Sequence, residues 1–343
     1  MTPSKMPYVR LGNSGLKVSK IIFGCMSYGS PEWRGQSWIL PEKDGLEQIK
    51  FAYDAGINAF DTAAVYSDGM SEEILGKAIK QYNLPRDEIV VMTKVFSYTA
   101  WNRPEEGEEG ARTVNQHGLG RKHIFDSVKH SLIRLQLDYI DLLQCHRFDN
   151  DTPIEETMQA LHDVVQAGYV RYIGMSSCWA WQFHAMQNYA ITNKLTPFIS
   201  MQNHHSLVYR EEEREMFSTC KHFGVGIIPW SPLARGMLTR PIAAQKDTSR
   251  GAGDIRMDKY NSFGGAQDIV TRVEELARKR GVSMAQIALA WSMSKEGVAA
   301  PIIGTTSIEK ITDCIAAVHL NLTPEEMSFL EEPYLPSAVS GHS

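Results

Sequence analysis

Four polar residues end or follow short apolar runs in the first half of the chain: Asp61, Tyr66 five positions later, Lys94 and His146. A core strand gains nothing from a terminal Lys or His unless that residue faces a partner, because an unpaired buried charge is costly. Gathered in one place, the four suit carbonyl reduction. Hydride arriving at a C=O creates an alkoxide, which needs a proton donor in the transition state. Tyrosine, with an ordinary pKa of about 10, is a weak acid at neutral pH, and a lysine ammonium beside it stabilises the tyrosinate. Asp61 would hold Lys94 charged and in place, and His146 would orient the carbonyl oxygen.

The elements that must position these residues follow from the apolar pattern. Eight short runs rich in Ile and Val, over 20–24, 58–62, 89–94, 139–146, 170–177, 198–203, 225–230 and 300–305, read as strands of a parallel sheet buried on both faces. Amphipathic stretches lie between them, over 41–55, from 71 onward, and over 121–137, 153–167, 179–193, 210–223, 267–280, 283–295 and 307–318. Eight strands alternating with helices is the arithmetic of a (β/α)8 barrel, here spanning 1–343 as one domain. A doubly wound Rossmann sheet is the runner-up, but it wants a G-x-G-x-x-G after an early strand, and the chain has none. Residues 5–18 predict a β-hairpin ahead of the barrel, turning at Asn13-Ser14-Gly15. Two long loops are expected, 97–120 and 236–266; the second is Gly- and Arg-rich, mobile and placed to fold over a ligand. Active sites of such barrels sit at the C-terminal strand ends. Those ends supply Asp61 leading to Tyr66, then Lys94, His146, Ser176-Ser177 and Gln202-Asn203.

Composition removes other classes. With 343 residues, 43% of them hydrophobic, the chain can build an ample core, and a net charge of -5 argues against a nucleic-acid binder. No apolar run approaches the roughly 18–20 residues of a membrane span, and no signal peptide precedes the hairpin, so the cytoplasm is the expected location. The five cysteines are widely spaced with apolar neighbours, as buried reduced thiols would be. A metal-dependent hydrolase would need clustered ligands at strand ends. His204 and His205 are adjacent, and on extended backbone they would point to opposite faces. No metal is expected.

The segments GINAFDTAAVYSDGMSEEILGKAI, VMTKV, DYIDLLQCHRFD, VRYIGMSS, PWSPLARGMLT and PIIGTTSIEKITD resemble the aldo-keto reductase superfamily along nearly the whole chain. The D-T-A-x-x-Y spacing runs from Asp61 to Tyr66, and S-E-x-x-L-G-x-A follows at 71–78. Within that superfamily, CMSYGSPEWR (25–34) and IPWSPLARG resemble fungal reductases of the aryl-alcohol dehydrogenase and versiconal hemiacetal acetate reductase kind. The resemblance implies NADP(H) lying extended across the barrel mouth, with Tyr66 as proton donor. Ser176, Ser177 and Gln202 match positions holding the nicotinamide carboxamide, although the family often has Asn at Ser177, and Trp230 matches the aromatic that stacks on the ring. Ser231, Leu233 and Arg235 fall on the loop covering the pyrophosphate.

Gly304-Thr305-Thr306-Ser307 leads into a helix N-terminus that favours an anion, and Lys310 is positioned to meet a 2′-phosphate. Ser307 also suits a plain helix N-cap. Asp313 would replace the Asn that often reads the adenine. An aromatic pocket is expected from Met26, Tyr28, Trp33, Phe96, Trp101 and Phe148, with Trp179 a further candidate, for an aromatic or polyketide-like carbonyl. Two alternatives stand beside this reading. One is imine or C=C reduction on the same scaffold. The other is a regulatory NADPH-binding protein like the potassium-channel β subunits, which often carry an N-terminal extension; the hairpin starting within about the first eight residues favours a free enzyme, with a homo-oligomer compatible.

Overall fold

The computed structural model describes residues 5–101, 113–254, 260 and 262–342. An antiparallel hairpin comes first, β1 (Tyr8–Arg10) and β2 (Lys17–Ser19), paired Tyr8 to Ser19. Eight parallel strands follow: β3 (Ile22–Gly24), β4 (Ala59–Asp61), β5 (Val90–Val95), β6 (Ile140–Cys145), β7 (Val170–Ser176), β8 (Phe198–Gln202), β9 (Gly226–Ile227) and β10 (Ile302–Ile303). They lie in chain order, with β10 returning to pair with β3. The Ala299 amide donates to Ile227 O and the Ile302 amide to Pro229 O, joining the last run to the seventh and curling the sheet into a (β/α)8 barrel. Strands β5 and β6 are buried at every position, which is why their apolar residues do not alternate with exposed ones; the polar residues in them, Thr93, Lys94, Asp141 and Gln144, are themselves buried.

The helices are α1 (Glu42–Asp54), α2 (Met70–Gln81), α3 (Arg121–Leu135), α4 (Ile154–Gln166), α5 (Ala180–Thr192), α6 (Met216–Phe223), α7 (Ser249–Gly253), α8 (Ala266–Arg280), α9 (Met284–Ser294), α10 (Ile308–Ala316) and α11 (Pro324–Glu331). Acidic first turns on α1, α2 and α4 complement the helix dipole. Helices α2 and α3 approach closely because Gly76 has no side chain: a Cβ there would sit 2.4 Å from Leu135 O.

Three clusters make the core. The largest packs the helices onto the outside of the strands. A smaller one fills the N-terminal end of the barrel, where Leu11 and Val18 of the hairpin meet Ile22, Ala59, Val90, Met92 and Leu142 near the strand starts. The hairpin is therefore a plug in the barrel floor. The third lies under the segment after β9.

Three expectations are corrected. The 236–266 segment is not one irregular loop: its described part carries 3-10 turns at Ala234–Thr239 and Ile242–Ala244 and helix α7, and it buries Met237, Leu238, Tyr260 and Phe263. The helix expected over 210–223 is broken into a 3-10 turn at Glu211–Glu213 and α6, because the Glu211 and Glu212 carboxylates turn back to the C-terminal tail. Helix α11 was not anticipated, although its signal was present: Thr323 and Glu326 form a capping box, with Pro324 at the first helical position. The middle of the expected 97–120 loop, 102–112, lies outside the described residues. No described helix is long and apolar enough to cross a membrane.

Candidate active site

Asp61 ends β4, Lys94 is the last residue but one of β5 and His146 follows β6, so parallel pairing carries all three to one end of the barrel. Tyr66 stands on a 3-10 turn, Tyr66–Gly69, in which Ser67 and Asp68 are left-handed (φ 47° and 52°). That turn rests on Gly29, whose φ is 144°; a Cβ there would lie 2.2 Å from Ser67. Only glycine leaves room for the turn that presents the tyrosine.

The Lys94 side chain is fully buried. Its three ammonium protons meet three acceptors: Asp61 Oδ2 at 2.5 Å, Thr62 O at 2.8 Å and Tyr66 Oη at 3.3 Å. Burial works to lower the lysine's pKa, but Asp61 and Tyr66 outweigh it and hold the ammonium above its ordinary value. Lys94 donates to the phenol oxygen, so the phenol proton is left to point elsewhere. The His146 ring stands edge-on to Tyr66, with centroids 5.9 Å apart. Burial first, then Lys94, Arg147 and Arg34, push its pKa well below the ordinary imidazole value. It is a neutral ring that can donate one N–H.

These groups open into a cavity of about 490 Å³ that also takes in Met26, Trp33, Phe96, Ser176, Gln202, Trp230, Ser231, Leu233, Arg235, Gly304, Thr305, Thr306, Lys310 and Asp313. The lining runs from the loop after β3 to the N-terminus of α10. The aldo/keto reductase family model matches residues 20–334. The chain belongs to the aldo/keto reductase family. It is 49% identical to the versiconal hemiacetal acetate reductase of Aspergillus parasiticus, over 97% of this chain and 98% of that protein. Identity is 48% to a putative aryl-alcohol dehydrogenase of Schizosaccharomyces pombe, over 97% of each chain. It is 46% to an aldo-keto reductase of Alternaria alternata, over 99% of this chain and 95% of that one. The protein is an NAD(P)-dependent oxidoreductase of this family.

In this reductase the carboxylate of Asp61 is held by Gln202, expected at the cofactor, and by Gln144, which was not singled out from sequence. Gln144 Nε2 donates to Asp61 Oδ1 at 2.9 Å and Gln202 Nε2 at 3.0 Å, while Gln202 also donates to Gln144 Oε1 at 2.7 Å. Gln144 sits two positions before His146, on the strand face shared with it, which is the signal that could have found it. Ser176 Oγ donates to Gln202 O at 2.9 Å.

Ser177 does not line the cavity; its Oγ accepts from Trp230 Nε1 at 2.9 Å and so fixes that indole from behind. Trp230 is one end of a stacked column. His204 lies parallel to it at 4.1 Å, and Tyr209 lies parallel to His204 at 4.0 Å. Tyr260 Oη meets His204 Nε2 at 2.8 Å. His205 turns the other way, to Glu213 at 2.8 Å, and among the described residues no group of His, Cys, Asp and Glu could hold a metal. The C-terminal tail closes on the same indole. The Ser340 amide donates to Tyr209 Oη at 2.9 Å, His342 Nε2 lies 2.7 Å from Glu212 Oε1, and a Cβ on Gly341 would come within 3.1 Å of the Trp230 ring. Nothing in the tail's small, polar sequence marks that contact.

At the other end of the cavity lie four basic side chains, Arg235, Arg240, Arg250 and Lys310; sequence reasoning found the first and last only. Asp254 pairs with Arg235 at 2.6 Å and with Arg250 at 3.3 Å. Burial, then repulsion from Arg235, pushes Arg250 down to about 10; burial and then Arg240 lower Lys310. Such a cluster of cations can hold an anion. Lys310 Nζ donates to Thr306 Oγ1 at 2.9 Å. Ser307 is the N-cap of α10, accepting from the Lys310 amide, and is not part of the lining. Asp313 accepts from Ser283 and Gln286, at 2.7 and 2.6 Å.

Of the aromatic and apolar residues expected in the pocket, Met26, Trp33 and Phe96 line it with Tyr66. Tyr28 does not: it is fully buried, with its hydroxyl on Gln48 at 2.9 Å. Trp101 donates to Glu73 at 2.7 Å and covers Arg134 on the outer face, and Phe148 packs in the core beside Trp181. Trp179 caps α5 with its ring edge against His342. All five cysteines are free and buried.

Proposed function

We propose that this reductase uses NADP(H) to reduce an aromatic or polyketide-like carbonyl to an alcohol, with Tyr66 as the proton donor. The observation that carries the reading is the Lys94 ammonium, which donates at once to Asp61, Thr62 and Tyr66. The residues lining the cavity fit the dinucleotide: an aromatic plane at Trp230, amide and hydroxyl groups at Gln202 and Ser176, and four cations at the far end. When bound, the nicotinamide supplies hydride to the carbonyl carbon.

The chain's own residues do the rest. Lys94 keeps the phenol oxygen in a positive field, so proton loss from Tyr66 to the alkoxide leaves a tyrosinate stabilised beside an ammonium. Neutral His146 donates its N–H to the carbonyl oxygen without adding a charge to the pocket. Asp61, steadied by Gln144 and Gln202, keeps Lys94 protonated. Arg240, Arg250 and Lys310 favour the extra phosphate of NADP over NAD. The names of two similar proteins, for versiconal hemiacetal acetate and for aryl alcohols, support substrates of the same kind. A cytosolic setting, where thiols stay reduced, suits the five free cysteines.

The test is NADPH consumption over aromatic aldehydes, ketones and cyclic hemiacetals, run beside NADH. Tyr66→Phe should lower turnover by about 100-fold or more while leaving NADPH binding intact. Undiminished turnover in that variant refutes the mechanism, and equal kcat/KM with NADH refutes the phosphate assignment.

A further inference from the structure

Gln144 belongs to β6 and Gln202 to β8, with β7 between them, yet their amides meet inside the barrel. Gln202 Nε2 donates to Gln144 Oε1 at 2.7 Å. The intervening strand makes room, because the residue paired with Gln144 on β7 is Gly174. A Cβ there would come within 3.3 Å of Gln144 Cγ and 2.2 Å of Ser200 Oγ. Both amides also donate through Nε2 to a single oxygen of Asp61, Oδ1, at 2.9 and 3.0 Å, while Oδ2 takes the Lys94 ammonium.

This arrangement removes the freedom of either amide to turn over. An ion-paired carboxylate only accepts, so each glutamine must present its NH2 end to Asp61. Gln144 then has only its carbonyl oxygen to offer Gln202, and it takes the second N–H of that side chain. Both donors of Gln202 are spent. Its Oε1 accepts from no described residue, and it belongs to a side chain that lines the cavity. Ser176, paired with Gln202 on β7, has already given its hydroxyl proton to Gln202 O, so it too offers the cavity lone pairs.

We propose that Gln144 is a positioning residue that sets Gln202 as an acceptor, so that the site recognises the NH2 of the nicotinamide carboxamide. The inference rests on the reading of the cavity as a pyridine-nucleotide site. Asp61 Oδ1 is the shared anchor, so one carboxylate orients the cofactor's acceptor and holds the lysine beside Tyr66. A ring substituent without an N–H sets nothing against Oε1 and leaves it unpaired, which costs more than the bond itself is worth.

Calorimetric binding of four ligands tests it without turnover: NADP, its thionicotinamide analogue, its 3-acetylpyridine analogue and 2′-phospho-ADP-ribose. The thio analogue keeps the NH2, the acetyl analogue replaces it with a methyl group, and the last lacks the ring. The wild type should bind NADP and the thio analogue within about threefold of each other, and the acetyl analogue about tenfold more weakly. Gln144→Leu should narrow the gap between NADP and the acetyl analogue to about twofold or less, and leave 2′-phospho-ADP-ribose unchanged. Gln144→Met, of nearly the same volume, repeats the measurement should the leucine variant fail to fold. Equal binding of NADP and the acetyl analogue by the wild type overturns the acceptor. A gap that survives in the variants, or an equal weakening of all four ligands, overturns the role of Gln144 and leaves the reductase reading standing. Binding of none of the four by the wild type sinks the cofactor reading, and the inference with it.

Discussion

Lys94 can stay charged at the centre of the barrel because every proton on its ammonium has an acceptor. Remove Asp61 and that balance fails, leaving a buried cation short of its strongest partner. His146 is governed by the opposite logic. Burial and the cations Lys94, Arg147 and Arg34 keep its ring neutral, so it contributes a hydrogen bond and no charge. The expected consequence is a pH profile without an imidazole limb. Between about pH 5.5 and 7.5, where an ordinary histidine titrates, log kcat/KM should stay flat. A limb near pH 6.5 that vanishes in His146→Gln would mean that the ring is charged in the working enzyme.

At the scale of the element, the turn after β4 decides where the proton donor stands. Its two left-handed residues are held against Gly29, on the loop that follows β3. Gly29→Ala should therefore displace Tyr66 as well as strain its own backbone, costing about 1–3 kcal/mol of stability. Urea denaturation measures the first effect. The second appears as a kcat reduced at least tenfold with unchanged NADPH affinity; an unaltered kcat would detach the turn from the chemistry. This scale also marks how far the sequence could be read. The eight strand positions were legible because buried parallel strands are plain apolar runs, and with them came the convergence of Asp61, Lys94 and His146. The stacked column behind Trp230 was not, since Trp230 reaches His204 only by tertiary folding and Tyr209 is turned onto His204 by the tight turn at Ser206–Tyr209. Arg240 and Arg250 were hidden in a segment whose weak periodicity suggested a loop, because 3-10 turns and a five-residue helix have no repeat long enough to register. Tyr28 looked like a pocket residue by type alone; its neighbour Gly45 lets helix α1 pack directly onto the ring.

Over the whole molecule, buried histidines set the acid limit. Burial, then His117, pushes His123 down to about 4, and burial also lowers His205 and His146. Each is neutral in the folded protein and takes a proton more readily when unfolded. For a histidine with a depressed folded pKa, stability is complete above the unfolded value near 6.5 and declines as pH falls toward the folded one. For His123 alone the loss by pH 4 is about 3 kcal/mol. Urea unfolding at stepped pH should show stability falling from about pH 6.5 to 4, with a shallower fall in His123→Phe. Identical slopes for the two proteins would remove His123 from the account.

The tail contacts have a practical side. Gly341 touches the indole that completes the cavity wall, and His342 is tied to Glu212, so a bulky group attached at His342 would stand almost on top of the aromatic platform. The hairpin plug lies at the opposite end of the barrel. Whoever labels this enzyme should hold it by the hairpin, since a handle on Gly341 or His342 would look like a defect in the catalyst.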